Sequence, residues 1–261
     1  MNPRLLKQAA VRGFMKTTVL LIFFFSFNTW SFDLTHKDYQ VVLDKVLSFK
    51  GAQTLVDYKG LKKDPSVLNE YLEAVAKVTQ NEFNGWNKAD QLAFLINAYN
   101  AFTLQLIINH YPVKSIKKIG GFFSSPWKMK FFTLFGKKTN LDKIEHGLIR
   151  ANYKEPRIHF AVNCASISCP NLQPFVFTGS NLEKQLQQSA KSFLGDKSKN
   201  YFAGKTLHAS IIFKWYGADF KEGFKAFVAD FVTSDKASQK LIRSGKVKTQ
   251  FLEYDWNLNE K

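Results

Sequence analysis

Cysteine is scarce in this sequence, with two residues, Cys164 and Cys169, among 261. So low a count excludes a small scaffold that is held together by many disulfides. The spacing of the two residues also matches no structural zinc motif. Internal repeats and low-complexity segments are absent, which excludes repeat architectures and a disordered chain. With 45% hydrophobic residues and 26 Phe, the chain instead has ample material for a core.

Acidic residues are missing from the N-terminal end, where the first carboxylate is that of Asp33. Four basic residues, a mostly apolar run over 17–27 and small residues near Ser31 precede it, in the order that is typical of a signal peptide. We expect residues 1–31 to be a signal peptide cleaved after Ser31, and the mature protein to be periplasmic or secreted. The apolar run is shorter than the ~20 residues of a spanning helix. No later stretch predicts a transmembrane helix in the mature chain.

Negative charge is also in deficit over the whole chain, whose formal net charge is +16. Such an excess favours anionic surfaces, such as lipid headgroups or acidic polymers of a cell envelope. A solvated basic surface explains the same composition. Because the lysines are scattered and no nucleic-acid-binding motif accompanies them, we expect no nucleic-acid partner. The sequence names no other partner and implies no cofactor.

Helical periodicity dominates the first hundred residues after the leader, and helix-like and strand-like segments alternate later. This pattern predicts an α+β fold, with a helix-rich N-terminal part and a small mixed sheet packed on a buried central helix. Residues 32–62 are interpreted as an N-terminal helical extension and residues 63–261 as a single domain. The central helix is predicted to begin after its cap Asn87 and to end near His110, before Pro112.

Two amides interrupt the otherwise apolar central helix. Asn97 and Asn100 lie one turn apart on the same face. A buried amide without a hydrogen-bond partner costs ~1–3 kcal/mol. We therefore expect both side chains to bond specific groups across the core or to line a cavity.

The segment Arg157–Pro170 concentrates reactive groups, since it holds both cysteines, His159 and Ser166. Alternation predicts a strand over 157–163, with His159 and Asn163 on its polar face. A loop that presents the cysteines is expected to follow. The segment is therefore the strongest candidate for a site of chemistry.

A short helix predicted over 141–150 carries three more polar candidates, Glu145, His146 and Arg150. His146 and Arg150 are one turn apart and share a face. If this helix lies beside the predicted strand, His146 approaches the cysteine loop together with His159.

Four interpretations of these groups stay open. In the first, Cys164 or Cys169 is a nucleophile, His159 or His146 is its base, and an asparagine orients the imidazole. In the second, the cysteines form a structural disulfide, which stabilises so short a loop by about 2 kcal/mol. In the third, two His and two Cys bind a metal, although the spacing is unlike known zinc sites. In the fourth, histidine and polar groups act without cysteine.

Six segments occur in an order known from one family: 93–101, 141–150, 157–166, 168–170, 213–220 and 254–259. Across about residues 60–259 the chain thus resembles the domain-of-unknown-function family 547 (DUF547). The family's motif residues fall here on Asn97, Tyr99, Asn100, Glu145, His146, Arg150, Arg157, His159, Asn163, Cys164, Ser166, Cys169 and Pro170. The resemblance implies no established activity, since related domains occur in exported bacterial proteins and, fused to other modules, in plants and animals. The family often has Lys after the serine that corresponds to Ser210, where this chain has Ile211, so no role for that lysine is carried over.

Two functional hypotheses follow. The first is an extracytoplasmic hydrolase or transferase that acts on an amide or acyl bond, with Cys164 as nucleophile, His159 as base, and His146 and Glu145 in support. The remaining candidates would bind or support: Asn97, Asn100, Arg150, Arg157, Asn163, Ser166 and Cys169. The second hypothesis is a non-catalytic binding or scaffold domain with a structural Cys164–Cys169 disulfide.

Overall fold

A computed structural model describes residues 31–121 and 124–261 of the chain. The predicted leader therefore lies, apart from Ser31, outside the described residues. The α-helices are α1 Lys37–Val46, α2 Tyr58–Lys63, α3 Ser66–Lys77, α4 Gln80–Gly85, α5 Lys88–His110, α6 Leu182–Gly195, α7 Ile212–Trp215, α8 Phe224–Val232 and α9 Lys236–Arg243. The strands are β1 Leu47–Lys50, β2 Gln53–Val56, β3 Phe132–Leu134, β4 Lys137–Thr139, β5 Tyr201–Ala203, β6 Thr206–Ser210 and β7 Lys248–Leu252.

The α+β class is confirmed, and the strands of the described residues form three small sheets. Strands β1 and β2 pair antiparallel, as do β3 and β4. The third sheet is mixed, because β6 pairs antiparallel with β5 and parallel with β7. The hairpin β3–β4 packs on the central helix, where the ring of Phe132 stacks on that of Phe102 at a centroid distance of 3.7 Å.

The central helix α5 has the predicted limits. The side chain of Asn87 caps it by accepting the backbone N–H of Asp90 at 2.9 Å. Nearly every residue of α5 after its first turn is buried. The helix is long and apolar enough to cross a membrane, but 94% of its most apolar window is buried inside the protein. Length and composition alone are therefore weak support for a membrane span.

Within residues 31–121 and 124–261, the buried apolar residues form two clusters. The first surrounds α5 and takes in buried faces of α1, α2 and α3. The second joins α6, α8 and α9 to the mixed sheet β5–β6–β7. Of the sheets in the described part of the chain, the mixed sheet thus packs in the second cluster and the β3–β4 hairpin lies against α5.

The strand predicted over 157–163 is wrong. Pro156–Phe160 forms a 3₁₀-helix, which Pro156 favours because its fixed φ suits a first helical position. The segment is buried on both sides, since Ile158 belongs to the first cluster and Phe160 to the second. Alternation between a core face and an open face therefore does not describe it. His159 is buried between these two residues, which belong to different clusters.

Candidate functional site

Both amides of the central helix hold distant backbone segments. The side chain of Asn97 donates to the carbonyl of Phe177 at 2.7 Å and accepts its N–H at 3.0 Å. In the same way, Asn100 donates to the carbonyl of Ala161 at 3.0 Å and accepts the N–H of Asn163 at 2.8 Å. The prediction that the two amides bond across the core is confirmed. Asn100 thereby anchors the chain directly before Cys164.

The turn that carries Cys164 is fixed by a third amide. Asn163 accepts the N–H of Ala165 at 2.9 Å and donates to the carbonyl of Pro170 at 2.7 Å. Ala165 is buried and has φ of 59°, a left-handed conformation that is uncommon for a residue with a Cβ. Such strain is concentrated at functional sites. The expectation that Asn163 or Asn97 orients an imidazole is wrong, because both hold backbone groups.

The C-terminal segment covers the cysteine loop. The N–H of Ile167 donates to the carbonyl of Asn257 at 2.9 Å, and nearby backbone groups of the two segments pair similarly. This pairing places the side chains of Tyr254 and Trp256 in the wall of the cavity that holds the cysteines. Residues about ninety positions apart in the chain therefore meet at the sulfur atoms.

Three groups converge on the half-buried Cys164 sulfur. Its Sγ lies 2.7 Å from the Sγ of Cys169, 3.3 Å from the hydroxyl of Ser166 and 3.1 Å from the hydroxyl of Tyr254. Both cysteines are free thiols in this structure, and Cys169 is buried. Cys164 is therefore the more exposed residue of an adjacent pair.

The two thiols differ in acidity. Burial raises the pKa of Cys164, but the hydrogen bonds that Cys169, Ser166 and Tyr254 make to its sulfur outweigh burial, so its pKa lies below the usual value. Burial and the adjacent Cys164 raise the pKa of Cys169 well above the usual value. A single negative charge on the pair is thus favoured at Cys164, the form in which a thiol is nucleophilic.

His159 has one nitrogen bound and one free. Its Nε2 lies 2.6 Å from Oδ2 of Asp219, and its ring stacks on Tyr216 with centroids 4.1 Å apart. Burial lowers the pKa of His159 to about 4, so the ring is neutral near pH 7. A carboxylate only accepts hydrogen bonds, so the single ring proton belongs on Nε2. Nδ1 then carries a lone pair and has no hydrogen-bond partner among the described residues.

Arg150 fixes the carboxylate that orients His159. Its guanidinium donates to both oxygens of Asp219, at 2.7 and 2.9 Å, and lies 5.0 Å from the ring centroid of Tyr216. These bonds from Arg150, helped by His159, lower the pKa of Asp219 to about 2. The chain Arg150–Asp219–His159 therefore keeps the imidazole in one tautomer and one orientation.

A small cavity of about 70 Å³ brings the main candidates together. Cys164, Cys169, His159 and Glu145 all line it. A larger cleft of about 690 Å³ lies beyond Asp219, but neither cysteine nor His159 lines it. Because Cys164 and His159 line the same small cavity, we place the candidate site there.

Two predicted candidates lie elsewhere. The side chain of His146 is 38% exposed and makes a hydrogen bond with Arg150 at 3.0 Å, and His146 does not line the cavity. Arg157 forms ion pairs with Glu155 at 2.6 Å and Glu183 at 2.7 Å. The expectation that His146 approaches the cysteine loop is therefore wrong. Arg157 ties its 3₁₀-helix to α6 and does not reach the sulfur atoms.

Sequence reasoning missed Asp219, Tyr216 and Tyr254. The first two lie in the segment 213–220 and the third in 254–259, both of which contributed to the family resemblance. They were left out because 60 residues separate His159 from Asp219, and 90 separate Cys164 from Tyr254. The polar residues inside those two motifs were the signal that could have identified them.

Comparison with known families bears on the central part of the chain. The profile of the family described as "Protein of unknown function, DUF547" matches residues 83–194. The protein carries a DUF547 segment. No curated protein and no solved structure gives a significant match.

The DUF547 segment holds only part of the site. It contains both cysteines, His159 and Glu145, whereas Asp219 and the aromatic residues of the C-terminal segment follow it. Within the described ranges, no group of three or more His, Cys, Asp or Glu residues is placed to hold a metal ion.

Proposed function

We propose that the protein is a thiol-dependent hydrolase or transferase that acts on an amide or acyl bond. The supporting observation is the state of His159, a neutral ring held by Asp219 at one nitrogen and unpartnered at the other. This ring lines the same cavity as Cys164, whose pKa is lowered. A nucleophile, a base and a group that orients the base are the parts that covalent acyl transfer requires.

Cys164, His159 and Asp219 would carry out the reaction in two steps. Nδ1 of His159 takes the proton of Cys164, whose sulfur attacks the carbonyl carbon and forms a thioester as the bond to the leaving group breaks. His159 then gives the proton to the leaving amine or alkoxide. Water or an acceptor, deprotonated by His159, attacks the thioester and releases Cys164. Asp219 stabilises the imidazolium that forms in each step.

A count of free thiols on protein purified without reductant tests this proposal. We expect two free thiols, with Cys164 alkylated by iodoacetamide faster than Cys169 near neutral pH. Tandem mass spectrometry separates the two sites, which lie on one tryptic peptide. The Cys164→Ser variant should lose the fast phase, and Cys169→Ser should keep a reactive thiol. A slow Cys164 in folded, reduced protein would contradict the proposal.

The 2.7 Å separation of the sulfur atoms also favours a second candidate. In it, an external oxidant has removed two electrons and two protons from the pair, and the Cys164–Cys169 disulfide belongs to a non-catalytic binding or scaffold domain. The same thiol count decides between the two. A stable native disulfide, with no change in thiol number on mild reduction of the folded protein, favours the scaffold.

We also propose that the protein is exported and acts in the periplasm or outside the cell. The order of basic, apolar and small residues before Phe32 supports this proposal. N-terminal sequencing of the protein recovered from the periplasm or medium should begin at Phe32. Recovery of uncleaved chain from the cytoplasm alone would contradict it.

A further inference from the structure

The cavity that holds Cys164 is walled mainly by aromatic side chains. The rings that line it are those of Tyr99, Trp127, Trp215, Tyr216, Tyr254 and Trp256. Two of these rings come from the C-terminal segment: the centroids of Tyr254 and Trp256 lie 4.4 Å apart. The ring of Trp215 stacks on that of Trp256 at a centroid distance of 5.9 Å. Trp215 is 46% exposed, which is unusual for so large an apolar group. Trp215 continues into the half-buried rings of Tyr254 and Trp256, and an apolar patch of several rings is typical of a binding surface.

A carboxylate lies in the same wall without a cationic partner. Glu145 is only 6% exposed, and its one hydrogen bond to a described residue comes from the hydroxyl of Tyr216 at 3.0 Å. No ion pair joins it to a basic residue of the described ranges. Buried acidic side chains are nearly always paired. An unpaired one beside a cavity indicates a ligand that carries the missing positive charge.

The basic residues near the cavity already contact other groups. Arg150 is bound to Asp219 through two hydrogen bonds, and neutral His159 adds no charge. The ammonium of Lys117 lies 5.0 Å from the ring centroid of Trp256, and Lys117 does not line the cavity. A thiolate at Cys164 would add a second negative charge to the cavity. The residues that line the cavity therefore include one carboxylic acid and no lysine or arginine, although the whole chain is strongly basic.

We propose that this cavity binds an alkylated ammonium group of the substrate, held between aromatic faces and the carboxylate of Glu145. The proposal rests on the acyl-transfer function and names its substrate class, an amide or ester with a cationic head group. Aromatic rings attract such cations through the negative charge of their faces, most strongly when water is excluded. A volume of about 70 Å³ suits a head group and a few further atoms, and is far below that of a pocket for a whole drug-sized ligand.

Binding of choline tests this cation site, called here the cage: the aromatic rings of the cavity together with Glu145. The neutral probe of the same shape is 3,3-dimethylbutan-1-ol. The full chain with Cys164→Ser is titrated with each probe while tryptophan fluorescence is followed, since three Trp line the cavity. We expect saturable binding of choline, with a Kd at least about tenfold below that of the alcohol. Equal affinity for the two probes would overturn the proposal, as would tighter binding of the anion 3,3-dimethylbutanoate.

Two variants test whether Glu145 and Trp215 bind the choline. Glu145→Gln, which keeps the acceptor for Tyr216, should weaken choline about tenfold and leave the alcohol unchanged. Trp215→Ala removes an exposed ring and should weaken choline without unfolding the protein. Glu253→Gln, an exposed carboxylate beside Tyr254, is the matched control and should change neither probe. If Glu145→Gln fails to fold, Trp215→Ala and the comparison of probes still decide the outcome.

The binding test is separable from the test of catalysis. The titrated variant lacks the nucleophile, so selective choline binding would stand even if acyl transfer were disproved. Conversely, a fast-reacting Cys164 in a protein that does not distinguish the two probes would overturn the cage alone.

Discussion

Replacement of Tyr254 by Phe is the sharpest test of how the fold activates Cys164. The Tyr254 hydroxyl is 3.1 Å from the Cys164 sulfur and is one of three groups that lower its pKa. A hydrogen bond to a charged group contributes roughly 1.5–3 kcal/mol. Since about 1.4 kcal/mol corresponds to one pKa unit, the substitution should raise the pKa of Cys164 by about 1–2 units.

The assay is the rate of iodoacetamide alkylation at Cys164 as a function of pH, with the site resolved by tandem mass spectrometry. The midpoint of the rate profile gives the pKa directly and is insensitive to the intrinsic nucleophilicity of the thiolate. The control is Tyr201→Phe, which removes the hydroxyl of a residue on β5 that does not line the cavity. An unchanged or lowered midpoint in Tyr254→Phe, with the fold intact, would refute the account of the sulfur environment.

Two further predictions concern stability. Asn100→Ala leaves the backbone N–H of Asn163 and the buried carbonyl of Ala161 without a hydrogen-bond partner. Urea unfolding should therefore show a loss of about 2–5 kcal/mol in the free energy of unfolding. The exposed Asn152→Ala is the control and should show little loss. Burial lowers the pKa values of His36 and His159 from the ordinary value of 6.5 to about 4. Between pH 6.5 and pH 4 the unfolded chain therefore binds more protons than the folded protein. Stability should therefore fall as pH is lowered through this window, by about 2 kcal/mol per histidine at pH 5. His159→Gln should flatten that slope and His110→Gln should not; a slope that is the same in all three proteins would contradict the burial argument.

Parts of the fold and site with a local cause were predictable from sequence. The central helix follows from the cap at Asn87 and from an apolar composition on all faces, which indicates complete burial. The same reasoning identified Asn97 and Asn100 as groups that needed partners, because an amide in such a helix must be hydrogen-bonded. It could not identify those partners, since they lie 61–80 residues away.

Other parts depend on long-range packing. Alternating apolar residues around His159 predicted a strand, but Ile158 and Phe160 enter different clusters, and Pro156 starts a 3₁₀-helix there. The contact between Asp219 and His159 could not be predicted either, although Asp219 lies in a motif of the family resemblance. Its carboxylate reaches His159 only because the chain between them folds into the second cluster, and no local pattern encodes that contact.

The most direct test of the central claim, that Cys164 is the nucleophile of an acyl transfer, is the intact mass of the protein after brief reaction with p-nitrophenyl acetate. The account predicts one acetyl group per chain, located on Cys164 as a thioester, with one equivalent of p-nitrophenolate released in a burst. The adduct should be absent in Cys164→Ser and form much more slowly in His159→Ala. Acetylation only of lysines, or an adduct that persists in Cys164→Ser, would contradict the claim.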